Sequence, residues 1–221
     1  MKRFILSLTL ILSIYFNGMC QSEWYSTTGG ETIFSLNAFS DPTNESSVIR
    51  FAPVFNYQTL INNDVSKSFG IFTGLAFRNV GFIADDPADA SVRKKFRTYN
   101  ASIPFGFKLG NLEGTFIYGG IDAEYAFNYK EKTFINGDKE AKSVYWFTNR
   151  VNQWQPSVNV GFQFLKGINI KFKYYLRTFF NPDRTDIYAS DYERFDGNIF
   201  YFSLNSNLFY NTKFYYNPGS D

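Results

Sequence analysis

The sequence contains no histidine, and its only cysteine is Cys20, close to the start of the chain. Without histidine the chain lacks the commonest general base, a Ser-His-Asp triad and any histidine-bearing metal site. If Cys20 is removed with a cleaved leader, thiol catalysis and disulfides are excluded as well. We therefore expect a protein that is not an enzyme and that holds no cofactor or metal ion.

Long apolar runs are also missing after the first 16 residues, since no later stretch approaches the ~18 apolar residues of a membrane-spanning helix. Aromatic residues are instead abundant, with 27 Phe, 16 Tyr and 3 Trp making up 21% of the chain. High aromatic content at ordinary mean hydropathy is typical of a membrane β-barrel, because lipid-facing and lumen-facing residues alternate along its strands.

The start of the chain is predicted to be a secretory signal peptide covering residues 1–20. Two basic residues precede a short apolar run, residues 4–16, and small and polar residues follow. The alternatives are a buried N-terminal helix and lipidation of Cys20, although the residues before this cysteine fit a lipoprotein signal poorly. Residues 21–221 are predicted to form a single domain.

The mature chain is expected to carry no net charge. Lys2 and Arg3 belong to the predicted leader, and without them 20 basic and 20 acidic residues remain. Nucleic acid is therefore not expected as a partner, because its binding depends on an excess of positive charge.

Alternation of apolar and polar residues predicts about eight β-strands. The pattern is strongest in residues 115–129, 152–164 and 168–180, each longer than a typical strand of a soluble protein and long enough for a tilted membrane strand. Five weaker windows are residues 31–39, 49–58, 69–78, 99–109 and 200–208. The predicted fold class is all-β, a closed antiparallel up-and-down transmembrane β-barrel of about eight strands preceded by a signal peptide.

Short and long connections are predicted to alternate along the chain. Tight turns rich in Gly, Asn and Asp are expected at residues 62–64, 110–114 and 165–167. Longer polar loops are expected at residues 41–46, 85–95, 130–150 and 181–197. Short turns at one end and long loops at the other are typical of outer-membrane barrels, whose turns face the periplasm.

Three prolines, Pro53, Pro104 and Pro156, fall within the predicted strands, where proline removes a hydrogen-bond donor from the ladder. A closed barrel has no free edge to receive them, so β-bulges are expected at these positions. The alternative is that the strands end before the prolines.

The composition of the two strand faces predicts which face meets lipid. The apolar faces carry too much Phe and Tyr for the interior of eight strands, and the polar faces carry few charges for a water-facing surface. We therefore expect the apolar faces outward in the outer membrane, with a soluble lipocalin-like barrel as the alternative. The charged residues then predicted to line the lumen are Arg50, Arg78, Asp122, Glu124, Lys171, Lys173 and Arg177.

These lumen charges predict either a structural ion-pair network that plugs the barrel or a polar path for small solutes. Opposite signs on different strands favour the network, because buried charges are costly unless they are paired. An eight-strand barrel has an interior just filled by side chains, so a wide permanent pore is not expected.

The predicted loop 130–150 carries three consecutive aromatic residues, Tyr145, Trp146 and Phe147. Exposed aromatics among charges indicate either a contact surface or a hairpin that extends above the membrane. The expected partners are therefore outer-membrane lipid and other envelope proteins bound through long loops. The barrel itself is expected to be a monomer.

The segment Tyr99–Lys108 resembles the strand with a central Ile-Pro found in the small outer-membrane β-barrel domain family of Gram-negative bacteria. This family includes gliding- and secretion-associated barrels. Residues 116–120 and 158–162 are similar to its aromatic strands that contain a glycine. The resemblance covers roughly residues 31–210 and implies a barrel fold and an outer-membrane location, but no binding residue. The chain departs from many such barrels by continuing past the aromatic residues 209–210.

Three functional hypotheses follow. The leading one is a non-enzymatic outer-membrane barrel that acts in envelope structure or in interactions through long extracellular loops. The alternatives are a narrow channel that transports small solutes through the charged lumen, and a periplasmic lipocalin-like carrier.

Overall fold

The protein folds almost entirely into antiparallel β-strands. The computed structural model describes residues 23–40, 47–165, 167–184 and 192–214, so the predicted signal peptide lies outside the described residues. The strands in chain order are β1 (Glu23–Phe39), β2 (Ser47–Val48), β3 (Arg50–Ala52), β4 (Tyr57–Asp64), β5 (Phe69–Asp86), β6 (Asp89–Gly110), β7 (Phe116–Ile135), β8 (Asp138–Trp146), β9 (Ser157–Leu165), β10 (Ile168–Tyr175) and β11 (Gly197–Phe214). None of the described residues forms a helix long and apolar enough to cross a membrane.

The strands close into an eight-membered ring. Neighbours in the ring pair antiparallel, and β1 pairs with β11 from Trp24↔Phe214 to Phe39↔Gly197, which joins the first strand to the last. The short strands β2, β3 and β4 together form the second member of the ring, and β8 and β9 form the sixth. The predicted closed antiparallel up-and-down barrel of eight strands is confirmed.

The two ends of the barrel differ in their connections. At one end, which we call the turn end, short turns join β4 to β5, β6 to β7 and β9 to β10, and β1 begins and β11 ends there. The first of these turns covers residues 65–68 rather than the predicted 62–64. At the opposite end, the loop end, residues 147–156 and 176–184 belong to longer connections.

Two of the predicted loops are wrong, because they consist mostly of strand. β5 and β6 continue to a two-residue turn, Pro87-Ala88, and β7 and β8 continue to Asn136-Gly137. Both residues of the second turn have positive φ angles, 52° and 91°, which Asn-Gly adopts readily in a hairpin. Residues 85–95 and most of residues 130–150 therefore extend the barrel wall as two hairpins at the loop end.

The prolines do not produce the predicted bulges. Pro53 lies in the interruption between β3 and β4, and Pro156 lies just before β9. At these two positions the strand is interrupted at the proline, which is the alternative given above. Pro104 lies within β6 without a register shift, and its carbonyl accepts a hydrogen bond from the Thr73 hydroxyl (2.9 Å).

Two of the strongest sequence windows form shorter strands than predicted. β9 begins at Ser157 rather than at residue 152, and β10 ends at Tyr175 rather than at residue 180. Residues 153–155 still pair with β7, through the Tyr125↔Trp154 bridge and the Gln155 N–H, which donates to the Glu124 carbonyl (2.9 Å). Beyond them the chain turns across the loop end, where the Asn152 backbone N–H donates to the Phe179 carbonyl (3.1 Å). The segments around residues 151–152 and 179–180 therefore cover the barrel instead of lengthening its wall.

Side chains alternate between the two faces of the wall. Along β6, Ile103, Phe105, Phe107 and Leu109 are exposed, whereas the residues between them are buried in the barrel. The other strands repeat this arrangement, with exposed apolar residues that include Phe34, Phe51, Ile61, Leu75, Ile121, Val160, Ile170 and Phe202. The exterior of the ring is therefore apolar.

Candidate functional site

Six charged side chains lie close together in the middle of the barrel interior. This ion cluster consists of Glu31 from β1, Arg78 from β5, Asp122 and Glu124 from β7, and Lys171 and Lys173 from β10. Each of the six residues is buried. Three carboxylates oppose three cations, so the cluster is formally neutral.

Arg78 and Lys171 hold the Glu31 side of the ion cluster. The Arg78 guanidinium lies 3.2 Å from Glu31 Oε2 and 3.2 Å from Glu124 Oε1. Lys171 Nζ lies 2.9 Å from Glu31 Oε1. These ion pairs join β1, β5, β7 and β10 across the interior, so they connect walls that are far apart in the ring.

Glu124 is the centre of the other side of the ion cluster. Lys173 Nζ contacts Glu124 Oε1 and lies 2.5 Å from Asp122 Oδ2. The Tyr175 hydroxyl donates to Glu124 Oε2 (2.9 Å), and Asn100 Nδ2 donates to the same oxygen (3.0 Å). Both carboxylate oxygens of Glu124 are thus satisfied, which a buried charge requires.

The carboxylates of the ion cluster are closely paired with cations. Each of its carboxylates lies within ion-pair distance of at least two nitrogen donors. Within the described part of the chain, no group of three or more Asp, Glu, His or Cys side chains is placed to hold a metal ion. The geometry therefore favours a structural network that ties the strands together.

The structure brings together five of the seven predicted lumen charges, namely Arg78, Asp122, Glu124, Lys171 and Lys173. Arg50 is buried elsewhere, where its guanidinium donates to the Asn79 carbonyl (3.1 Å) and to Asn79 Oδ1 (2.5 Å). The prediction for Arg177 is wrong, since its side chain is exposed. The cause is that β10 ends at Tyr175, so the alternation does not continue to residue 177.

Glu31 is the member of the ion cluster that sequence reasoning missed. It lies in β1, whose alternation is the weakest of the eight windows. The seven predicted charges comprised five cations and only two carboxylates, and this imbalance is itself a signal for a further acidic residue. Glu31, on the polar face of the first strand, supplies this acidic residue.

Aromatic rings fill the interior between the ion cluster and the loop end. The Phe96 ring centroid lies 5.0 Å from that of Phe82, 5.2 Å from that of Phe180 and 5.4 Å from that of Phe195. Phe179 packs edge-to-face on Phe82 at 5.3 Å. This aromatic core also contains Ile33, Val80, Tyr129, Val151, Tyr175, Ile199 and Tyr201. The rings leave the loop-end half of the interior closed.

Hydrogen bonds fix the connections that cover the loop end. The Phe179 backbone N–H donates to the Gly197 carbonyl (2.8 Å). The Tyr192 hydroxyl donates to Glu131 Oε2 (2.9 Å). Burial and the Glu131 carboxylate raise the pKa of Tyr192 above its usual value, so the hydroxyl stays protonated and keeps donating. The described parts of these connections are therefore held as a cover over the core.

A cavity of about 580 Å³ occupies the interior between the ion cluster and the turn end. Amide and hydroxyl groups line much of its wall, together with charged side chains and with apolar residues that include Phe72, Phe116 and Leu60. Gly161 leaves room for Tyr118, because a Cβ at Gly161 would lie 2.1 Å from the ring's Cζ atom. Members of the ion cluster reach the inner end of the cavity, and its described lining includes no residue of the aromatic core.

Lys108 projects into this cavity from β6. Its Nζ lies 2.5 Å from Asp64 Oδ1, and it donates to the Tyr25 hydroxyl (2.8 Å) and to Asn62 Oδ1 (3.2 Å). The Asp64 side chain is 17% exposed, so water reaches this ion pair. The Lys108–Asp64 pair is therefore less isolated from solvent than the ion cluster, because its carboxylate is partly exposed.

The three aromatic residues predicted as a loop contact lie in or beside β8. Tyr145 is half-buried, and its ring stacks on Tyr129 with 6.1 Å between centroids. Trp146 and Phe147 are 64% and 65% exposed, and Trp146 stacks on Phe127 at 6.1 Å. The three residues therefore differ, because Tyr145 packs against the aromatic core whereas Trp146 and Phe147 are exposed on the outside of the barrel.

No protein-family model matches the sequence, and no curated protein matches it. Similar solved structures include Ail, the attachment invasion locus protein of Yersinia pestis, at 12% identity and a TM-score of 0.36, covering 84% of this chain and 97% of Ail. CarO of Acinetobacter baumannii is similar at 9% identity and a TM-score of 0.38, covering 82% of this chain and 98% of CarO. Both are outer-membrane β-barrel proteins. Likeness at this level transfers no role, and the barrel fold rests on the closed ladder of this chain.

Proposed function

We propose that the protein is a non-enzymatic integral outer-membrane β-barrel whose lumen is closed and which acts through its loop end. The observation that carries this proposal is the polarity of the barrel wall, with an apolar exterior and with buried charged and amide side chains on the interior face below the aromatic core. A water-soluble protein buries its apolar faces instead. A closed ring also suits a bilayer, where every backbone polar group must be paired within the protein.

The height of the apolar exterior supports a membrane location. Along β6 the outward residues are apolar or aromatic from Leu109 to Tyr99, and Arg97 is the first outward cation beyond them. At about 3.3 Å per residue and a tilt of about 40°, these residues span about 25 Å, the height of the apolar band of outer-membrane barrels. The turn end then faces the periplasm, as short turns do in such barrels.

A lipocalin-like carrier fits the barrel poorly. A soluble carrier presents a polar exterior and holds its ligand in an apolar interior. Here the exterior is apolar, and amides, hydroxyls and charges such as Lys108 and Lys171 line the cavity. These features support lipid around the barrel rather than a lipid-like ligand inside it.

A narrow channel is also disfavoured. The ion cluster and the aromatic core lie in series between the cavity and the loop end, so a solute that enters from the turn end meets a closed interior. The ion cluster therefore acts as a plug and as a tie between strands. Opening a path would require buried ion pairs to separate, which is costly in a low-dielectric interior.

The loop end is the proposed interaction surface. The β5–β6 and β7–β8 hairpins extend beyond the apolar band. The exposed Trp146 lies at the rim of this band, because its partner Asn128 also pairs with Tyr99, and Phe147 follows it in the chain. We assign to this end the contacts with other envelope components, made by a monomeric barrel among outer-membrane lipids. The Tyr99–Lys108 segment, which lies within β6, supports a place among the gliding- and secretion-associated barrels.

Cell fractionation tests the membrane location. An outer-membrane barrel sediments with the membranes, is extracted only by detergent and changes its mobility on a gel after heating. Release of the protein with the soluble periplasm would contradict the proposal.

Planar-bilayer recordings test whether the lumen is closed. We expect no discrete conductance, and reproducible unitary openings would contradict a closed lumen.

A further inference from the structure

Five basic side chains lie together on the outward face of β6, β7 and β8, just beyond the apolar band. We call this set the cationic face, and its members are Lys95, Arg97, Lys130, Lys132 and Lys142. The strand register places Lys95 opposite Lys132 and Lys132 opposite Lys142, and it places Arg97 opposite Lys130. Opposite side chains on one face of a sheet lie about 5 Å apart at Cβ, so five positive charges share two successive outward rungs.

No carboxylate neutralises the cationic face within the described residues. None of its five side chains forms an ion pair there, whereas the next outward cation of β6, Arg93, lies 2.6 Å from Asp85. Burial and neighbouring cations, among them Arg97 and Lys142, lower the pKa of Lys132 below its usual value. Like charges placed opposite each other destabilise a sheet, so a bound anion would relieve a repulsion that the free barrel carries.

Protection of a sheet edge does not account for the cationic face. Lysine is common on edge strands, where it prevents pairing with other chains. At this height, however, β6 pairs with both β5 and β7, and β7 pairs with both β6 and β8. Four of the five cations therefore lie on strands that have no free edge.

The position of the cationic face corresponds to the headgroup layer of a bilayer. Tyr99 marks the upper limit of the apolar band on β6, and Arg97 and Lys95 follow it by two and four residues. At about 3.3 Å per residue and a tilt of about 40°, their rungs stand about 5 and 10 Å above the band. The headgroup layer begins at the same level and is about 5–7 Å thick. The rung of Arg97 and Lys130 therefore lies within this layer. The rung of Lys95, Lys132 and Lys142 lies just above it, where the long side chain of a lysine can reach down to the headgroups.

Cation–π contacts hold two members of the cationic face at this boundary. Lys130 Nζ lies 4.9 Å from the centre of the Tyr99 ring, and the Arg97 guanidinium carbon lies 5.8 Å from it. The side chains thus stand against the outer wall and face sideways, toward surrounding lipid. A protein partner approaching from the loop end would meet the hairpin tips instead.

We propose that the cationic face binds phosphate groups on the headgroups of outer-leaflet lipids and thereby sets the depth of the barrel in the membrane. This inference rests on the proposed membrane location. A phosphate offers several acceptor oxygens, which suits a group of Lys and Arg donors on adjacent strands. Because the cationic face points sideways from the barrel, the phosphate groups that it contacts are those of the surrounding lipid leaflet.

Titration of the folded, detergent-solubilised full-length barrel with a phosphomonoester lipid tests this inference. The same lipid without its phosphate serves as the ligand control, and native mass spectrometry measures the bound fraction. The test variant combines K132Q with K142Q. The matched control combines K67Q with R177Q, which removes two exposed cations elsewhere on the barrel. Heat-dependent gel mobility verifies that each variant is folded.

We expect the wild type to bind the phosphorylated lipid and not its phosphate-free counterpart. The K132Q/K142Q variant should bind about thirtyfold more weakly, since each cation near an anionic surface contributes roughly a factor of five. The K67Q/R177Q control should retain the wild-type affinity to within about threefold. Unchanged affinity in the K132Q/K142Q variant, or equal weakening in both variants, would overturn the inference.

Two further measurements separate the alternatives. Millimolar inorganic phosphate should leave the lipid bound, and displacement by free phosphate would assign the cationic face to soluble anions and overturn the lipid assignment. A barrel that sediments with membranes but does not prefer the phosphorylated lipid would contradict only this inference. A protein found in the soluble fraction would contradict the proposed function itself.

Discussion

The two halves of the barrel interior are enclosed by the same eight strands but are filled in opposite ways. Toward the loop end, rings such as Phe82 and Phe96 pack into a closed aromatic core. Toward the turn end, a cavity of about 580 Å³ lies among amide and hydroxyl groups. The ion cluster forms the boundary between them, so closure here is a property of one half of the lumen rather than of the whole barrel.

The connections explain much of this difference. Phe179, Phe180 and Phe195 all come from segments outside the strands, and they insert into the loop-end half of the interior. At the other end, the turn between β6 and β7 adds Leu112 and Glu113 to the cavity lining, but these residues do not fill the cavity. The strand composition changes in parallel, since β5 places Val80 and Phe82 above Arg78. Long connections with apolar residues thus close a barrel that its wall alone would leave hollow.

Removing one carboxylate of the ion cluster should have the largest effect on stability. Glu124→Ala leaves Lys173 and Arg78 with fewer partners in a buried site, and breaking a buried ion pair costs about 3–5 kcal/mol. Urea unfolding in lipid vesicles measures the change. The control Glu113→Ala removes an exposed carboxylate at the turn end and should change stability by less than about 0.5 kcal/mol. Equal effects would contradict the ion cluster as a structural boundary.

The same aromatic truncation in the two halves should have unequal effects. Phe96→Ala removes a ring surrounded by other rings and should cost about 3–5 kcal/mol, because it creates a new void. Phe72→Ala removes a ring that already borders the cavity, so only about 2 kcal/mol from lost burial is expected. Unfolding midpoints of both variants in one lipid composition make the comparison. A larger loss for Phe72→Ala would reverse the assignment of the two halves.

The charge in the cavity should matter less than the charges of the ion cluster. Lys108→Met removes the partner of Asp64, but this carboxylate is partly exposed and water can solvate it. We expect a loss of about 1 kcal/mol in the free energy of unfolding. A loss as large as that of Glu124→Ala would show that the turn-end half is as isolated from water as the centre.

The sequence predicts those parts of the fold that impose a regular pattern on it and misses those that do not. Alternation with period two is imposed by the barrel wall, so the fold class and most strands are recoverable from it. The hairpins at residues 85–95 and 130–150 were missed because their outward faces are charged and therefore look like polar loops. Asn136-Gly137 was the available signal for the second hairpin.

The sequence predicts the candidate site only in part, because not all of its residues lie on clearly alternating strands. The central charges of β5, β7 and β10 lie on clear alternating windows, whereas Glu31 lies on the weakest one and Arg177 lies beyond the end of its strand. The aromatic core was not predictable, because Phe179, Phe180 and Phe195 reach it through connections whose path no local pattern encodes.

Thiol accessibility in the folded barrel distinguishes an open turn-end cavity from a closed aromatic core. In a Cys20→Ser background, which has no other cysteine, Thr27→Cys places a thiol on the cavity wall and Ala126→Cys places one in the aromatic core. Each variant is treated with a small charged methanethiosulfonate reagent, and its reaction rate is compared with that of the urea-unfolded chain. We expect rapid modification at Thr27→Cys and protection of Ala126→Cys until the barrel unfolds. Similar rates at the two positions, or faster reaction at Ala126→Cys, would contradict this expectation.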